Sequence, residues 1–134
     1  MIHLDTSFLV DLLRERSKGS AGPATGLLDS ILQEPLAISV FVACELEAGV
    51  ELARDPLSER VKVEELLAGL WVDYPDKRFP AAYGRLLAVT RRSGGAVPAM
   101  DLLIGTTAVL VDAVLVTRNR RDFERIPGLT VRAY

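Results

Sequence analysis

Two hydrophobic periods alternate along this chain. Ile2 to Leu4 is short and apolar throughout, and after Thr6 and Ser7 the segment FLVDLLRER repeats its apolar positions at helical spacing, which predicts a strand, a sharp turn and a helix. The polar stretch SKGSAGPATG breaks that helix, and Leu27 to Gln33 predicts a second. Leu36 to Val40 reads as a strand, FVACELEAGVELAR as a helix ended by Asp55-Pro56, and Ser58 as the start of another helix to about Gly69. A third strand is expected over Leu70 to Tyr74, and a helix over Phe79 to Arg92 closed by Ser93-Gly94-Gly95. Pro98 opens a further helix through Leu110. Ala113 to Thr117 predicts a fourth strand, Arg121 to Arg125 a helical turn, and Leu129 to Arg132 a final strand. Strands alternating with helices in this way predict an α/β fold with a mostly parallel sheet of four to five strands and helices on both faces. In such sheets ligands bind beyond the carboxyl ends of the strands, where the strand order reverses. Asp5 and the segment from Thr117 through RNRRD fall at such ends.

Composition narrows the class. The 134 residues fit one domain, spanning 1–134, and 49% hydrophobic content suits a packed core. Apolar stretches such as LLIGTTAVLV are broken by Gly, Thr and then Asp112, well short of the roughly 20 residues a membrane helix needs, so a soluble protein with no membrane partner is expected. MIHLD has no basic, signal-like character, and the lone Cys44 suits a reducing cytoplasm, which is the expected location. A net charge of −2 gives no global attraction to nucleic acid. Thirteen of the sixteen basic residues are arginines, and Arg118, Arg120, Arg121 and Arg125 cluster around the last acidic motif. Guanidinium forks match phosphate geometry, so Arg118, Arg120 and Arg121 are candidate contacts for an RNA backbone; a solvated charged face is the plainer alternative.

Four acids sit where apolar segments run out: Asp5, Glu45, Asp101 and Asp122. Asp5 follows a strand and precedes a helix, where it can cap, but Thr6 and Ser7 can cap equally well and leave it free. At about 100° per residue, Val42, Leu46, Gly49 and Val50 line one arc of their helix, Glu47 lies opposite, and Glu45 falls at the margin of the buried arc. A charge there needs a partner or a route to water. Asp101 opens a helix apolar around most of its circumference; the helix dipole alone would favour it, while Gly105 and Ala108 on the same face leave room for a neighbouring element or a hydrated ion. Asn119 and Asp122 follow a strand end, where Asn119 can present its carbonyl oxygen to a cation or a water, and Thr117 can add a supporting hydroxyl.

Carboxylates gathered without a paired base or a Ser or Cys nucleophile most often hold a hard cation such as Mg²⁺ or Mn²⁺, which acts on substrate phosphates. Two carboxylates about 4 Å apart repel by roughly 4 kcal/mol at an effective dielectric of about 20. Four ionised together therefore call for a cation, and in its absence at least one carboxyl pKa is expected to rise through like-charge repulsion.

The order of these motifs resembles the PIN-domain ribonucleases, especially the VapC-type toxins of prokaryotic toxin–antitoxin pairs. The match rests on IHLDTSFLVDLL, VACELEAGV, PAMDLLIGTTA and VLVTRNRRDFERIPGL, and covers almost the whole chain. The resemblance implies a three-layer α/β/α sandwich, Mg²⁺- or Mn²⁺-dependent endoribonuclease activity on RNA, homodimerisation, and silencing by a cognate antitoxin in the active-site groove. By position Asp5, Glu45 and Asp101 match the family's acidic ligands. Many relatives carry Asp where this chain has Asn119, and others use the acid before Phe, so Asp122 is taken as the fourth carboxylate and Asn119, with Thr6, Ser7 and Thr117, as accessory.

Other classes fit less well. An aspartyl phosphatase would want a second Asp at position seven, which is Ser7, and Ser93-Gly94-Gly95 lacks the Lys-Ser/Thr ending of a phosphate loop. The alternative that remains is a non-catalytic module of the same fold that binds RNA or protein. His3 and Cys44 read as packed residues, not as catalytic ones.

Overall fold

The structure, a computed structural model, describes residues 1–134. Five strands, β1 (Ile2–Leu4), β2 (Leu36–Ser39), β3 (Trp71–Asp73), β4 (Val114–Val116) and β5 (Thr130–Arg132), form one sheet in the order β3-β2-β1-β4-β5, and every pairing is parallel. Between them run α1 (Thr6–Lys18), α2 (Pro23–Ile31), α3 (Val40–Glu51), α4 (Pro56–Leu67), α5 (Phe79–Arg92), α6 (Ala99–Leu110) and α7 (Arg120–Phe123). From β1 the chain steps outward through β2 to β3, then returns to β4 on the other side of β1. Right-handed crossovers in opposite directions put α1 to α4 on one face of the sheet and α5 to α7 on the other, giving the α/β/α sandwich expected. Within the first group α1 packs on α2, α3 and α4, and within the second α6 packs on α5 and α7.

A core cluster of 21 buried residues joins both layers to the sheet, and it includes Leu4, Phe8, Leu12, Ile38, Leu102, Ile104, Leu115, Phe123 and Ile126. All of β1, and Leu115 and Val116 of β4, are buried, which is why these central strands show no apolar–polar alternation.

Several helix bounds differ from the sequence expectation: α1 begins at Thr6 and not Phe8, α3 runs from Val40 to Glu51 and not from Phe41 to Arg54, and three further starts shift. α2 begins at Pro23 and not Leu27, because the Glu15 carboxylate reaches across from α1 and accepts the backbone N–H groups of Gly22, Ala24 and Thr25 at 2.7, 3.0 and 2.9 Å. α4 begins at Pro56 and not Ser58; Asp55 is its cap, accepting from the Ser58 N–H at 3.2 Å, with proline at the first helical position. α7 starts one residue early, at Arg120. β1 matches its expected bounds, the final strand starts at Thr130 and not Leu129, and β2, β3 and β4 are one residue shorter at one or both ends. No helix is long and apolar enough to cross a membrane.

Candidate active site

The reversal of strand order lies between β1 and β4, and Asp5 and Thr117 leave their carboxyl ends side by side. Backbone bonds fix both positions: the Asp5 N–H donates to Val116 O at 2.9 Å, and the Thr117 N–H donates to Arg132 O at 3.1 Å. Asp5, Thr6, Ser7, Glu45, Asp101, Arg118 and Asn119 line a cavity of about 530 Å³ with no hydrophobic side chain among them.

Asp5 is 96% buried, being only 4% exposed, and sits at the N-cap of α1 without capping it. Its Oδ2 instead accepts the hydroxyls of Ser7 at 2.8 Å and Thr117 at 2.7 Å. Thr117 is fully buried, and its Oγ1 also accepts the Asn119 N–H at 2.9 Å. Glu45, half-buried on α3, accepts the Thr6 hydroxyl at 2.6 Å through Oε1. Glu47 faces solvent and pairs with Arg60 at 3.0 Å, as its opposite position on the helix predicts; Gly49, expected on the buried arc, is exposed.

Asp101 sits in the first turn of α6 and is half-buried. Its pKa is pushed up to about 6, first by burial and then by the charges of Asp5, Asp122 and Glu45. A carboxyl raised by repulsion is the sequence expectation; here loss of solvent is the largest single cause, and the three neighbouring charges add to it. Asn119 answers part of that charge: its Nδ2 donates to Asp101 Oδ2 at 3.0 Å and to Asp122 Oδ2 at 3.2 Å. Carboxylates only accept, so the amide must turn its NH₂ toward them. Asn119 therefore acts as a donor bridging two acids, and its carbonyl oxygen is not used in these two bonds. Asp122 joins the group through this bridge and does not line the cavity itself.

The space beside Gly105 is also used differently from one of the two expectations. A Cβ there would lie 2.4 Å from Ile126 Cδ1, so the glycine admits a neighbouring element and leaves no room for an ion. Among the candidate backbone-binding arginines, Arg118 lines the cavity and pairs with Asp11 at 2.7 Å, Arg120 pairs with Glu124, and Arg121 is exposed with no ion pair. None of the four site acids is paired with a Lys or Arg. His3 is buried as expected, with Nε2 2.6 Å from Asp73 Oδ2, whereas Cys44, expected to pack, is exposed. Two residues that the sequence reading passed over frame the cavity from outside: Asp11, four residues and about one helical turn after Ser7, and Tyr134, whose hydroxyl donates to Asp11 at 2.6 Å.

The donor set suits a hard cation. No three acidic, histidine or cysteine side chains converge tightly enough to ligate one point directly in this conformation. Mg²⁺ keeps several waters and is commonly held through one or two carboxylates, so an all-polar cavity edged by Asp5, Glu45 and Asp101 fits a hydrated ion better than a closed protein cage.

Comparisons with known proteins agree with this fold. The family model described as PIN domain matches residues 2–129. The chain is 32% identical to Ribonuclease VapC2 of Rickettsia felis over 94 residues, covering 70% of each protein. It is 33% identical to Ribonuclease VapC19 of Mycobacterium tuberculosis over 127 residues, covering 94% of each. Among solved structures, VapBC2 from Rickettsia felis bound to a DNA fragment from its promoter superposes with a TM-score of 0.90 at 26% identity, covering 100% of this chain and 99% of that one.

Proposed function

From the premise that this chain belongs to the PIN-domain family, we propose that it is a metal-dependent endoribonuclease and the toxin of a toxin–antitoxin pair. The observation that carries the reading is the polar cavity at the β1–β4 reversal, where Asp5, Glu45 and Asp101 meet with no basic partner drawn into them. The relatives are ribonucleases by name, and the VapBC2 structure bears on the proposal that an antitoxin protein covers the groove.

In this reading Asp5, Glu45 and Asp101 hold Mg²⁺ or Mn²⁺, with Asp122 adding charge from behind Asn119. When bound, the cation polarises a phosphoryl oxygen and lowers the pKa of a water. The chain's own side chains prepare that event. Ser7 and Thr117 fix the Asp5 carboxylate, Thr6 fixes Glu45, and Asn119 ties Asp101 to Asp122, so the acids need little reorganisation when substrate arrives. Arg118, Arg120 and Arg121 supply backbone contacts that carry no base preference. One carboxylate takes the proton from water; no protein nucleophile is needed. Homodimerisation and a cytoplasmic location belong to the same reading.

Partner-free protein is expected to cut single-stranded or loop RNA with Mg²⁺ or Mn²⁺ and to stop on chelation. Asp5→Asn or Asp101→Asn should abolish cutting while the circular dichroism spectrum stays unchanged. Cutting that persists in the double variant would assign catalysis elsewhere, and RNA binding without cutting, indifferent to metal, would favour the non-catalytic module.

A further inference from the structure

Arg118 is the single basic side chain lining a cavity that also holds three carboxylates, yet its guanidinium turns away from them. A long, 55% exposed cation beside unpaired acids would settle on those acids unless something held it elsewhere. Asp11 holds it: Arg118 Nη1 donates to Asp11 Oδ1 at 2.7 Å and Oδ2 at 3.0 Å. Asp11 is itself held, because Tyr134 donates its hydroxyl to Oδ2 at 2.6 Å while its ring stands edge-on to the buried Phe8, centroids 5.1 Å apart and planes at 77°. The Arg118 main chain is tied to the same patch, its N–H donating to Ser7 Oγ at 3.1 Å, and Ser7 in turn donates to Asp5. A guanidinium carries five N–H donors; Nη1 engages Asp11, and no protein acceptor meets Nε or Nη2.

We infer that Asp11 and the Tyr134 hydroxyl are positioning residues that clamp Arg118 on the rim of the acidic cavity, keeping it off the carboxylates and aiming its free N–H edge at a backbone phosphate of bound RNA. The inference rests on the ribonuclease reading of the site and adds how one substrate phosphate is held. Because the clamp joins α1 to the residue that follows β5 by two, it also couples the rim of the site to the last strand.

The test is binding of a pool of RNA hairpins with randomised loops, measured in EDTA so that no chemistry and no metal contribute. Arg118→Ala is expected to weaken binding about tenfold and to make the slope of log affinity against log salt shallower by about 0.7. Tyr134→Phe, which keeps the ring on Phe8 and changes no charge, should weaken binding about threefold, with no further loss when added to Arg118→Ala. Asp11→Asn should also weaken binding, although removing a negative charge near RNA would by itself strengthen it. Tyr134→Phe and Asp11→Asn proteins that bind as tightly as wild type, or that lose affinity equally with and without Arg118, overturn the clamp. Wild type that cuts RNA with Mn²⁺ while these variants bind normally overturns the clamp alone; wild type that neither binds nor cuts overturns the ribonuclease reading and the clamp with it.

Discussion

Asp101 bears much of the electrostatic strain of the site. Burial and three neighbouring carboxylates raise its pKa to about 6, so at neutral pH the metal-free protein holds an anion in surroundings that oppose it. Because the folded pKa lies above the unfolded one, near 3.8, the protonated form contributes stability that is fully present below about 4 and is lost as pH rises through about 6. Urea unfolding in EDTA should show Asp101→Asn more stable than wild type at pH 7.5, by on the order of 1 kcal/mol once solvent screening of this half-buried group is allowed for, and the difference should vanish at pH 4. Thr117 makes the opposite case. Its buried hydroxyl serves both Asp5 and the Asn119 N–H, so Thr117→Val should cost about 1–3 kcal/mol and lower kcat, whereas Thr117→Ser should retain most of both; loss in Thr117→Ser with none in Thr117→Val would mean that the methyl group, not the hydroxyl, matters.

At the scale of elements, packing around α6 and α7 decides where Asp101, Asn119 and Asp122 stand. Gly105 lets Ile126 against the helix, and any side chain there would meet Ile126 Cδ1. Gly105→Val should destabilise by about 2 kcal/mol and move Asp122 relative to Asp101, read as loss of the Asn119 side-chain amide shifts in NMR. Elements were legible wherever their signals were local. α5 ran from Phe79 to Arg92 as its periodicity predicts, and β1 fell on Ile2 to Leu4. The start of α2 was hidden because its orphan N–H groups are satisfied by Glu15 of another helix, and Gly22 gives no side-chain cap to read. The start of α4 was written in Asp55-Pro56, whose helix-opening character the Ser58 signal obscured.

Across the whole molecule, the parallel sheet turns a scattered sequence pattern into one place: Asp5 and Thr117, 112 residues apart, become neighbours because β1 and β4 pair at the reversal of strand order. That convergence could be anticipated from strand ends and motif order. Amide orientation at Asn119 and the Asp11–Arg118–Tyr134 contacts could not, since they depend on side chains meeting across the fold and leave no periodic trace in the sequence. Calorimetric titration of Mn²⁺ into EDTA-treated, extensively dialysed protein asks whether Asp5, Glu45 and Asp101 together hold a cation. Saturable binding is expected in wild type and in the surface control Glu47→Gln, with binding lost in Asp5→Asn and Asp101→Asn. Wild type that takes up no Mn²⁺, or Asp5→Asn and Asp101→Asn proteins that bind it as wild type does, would contradict the claim.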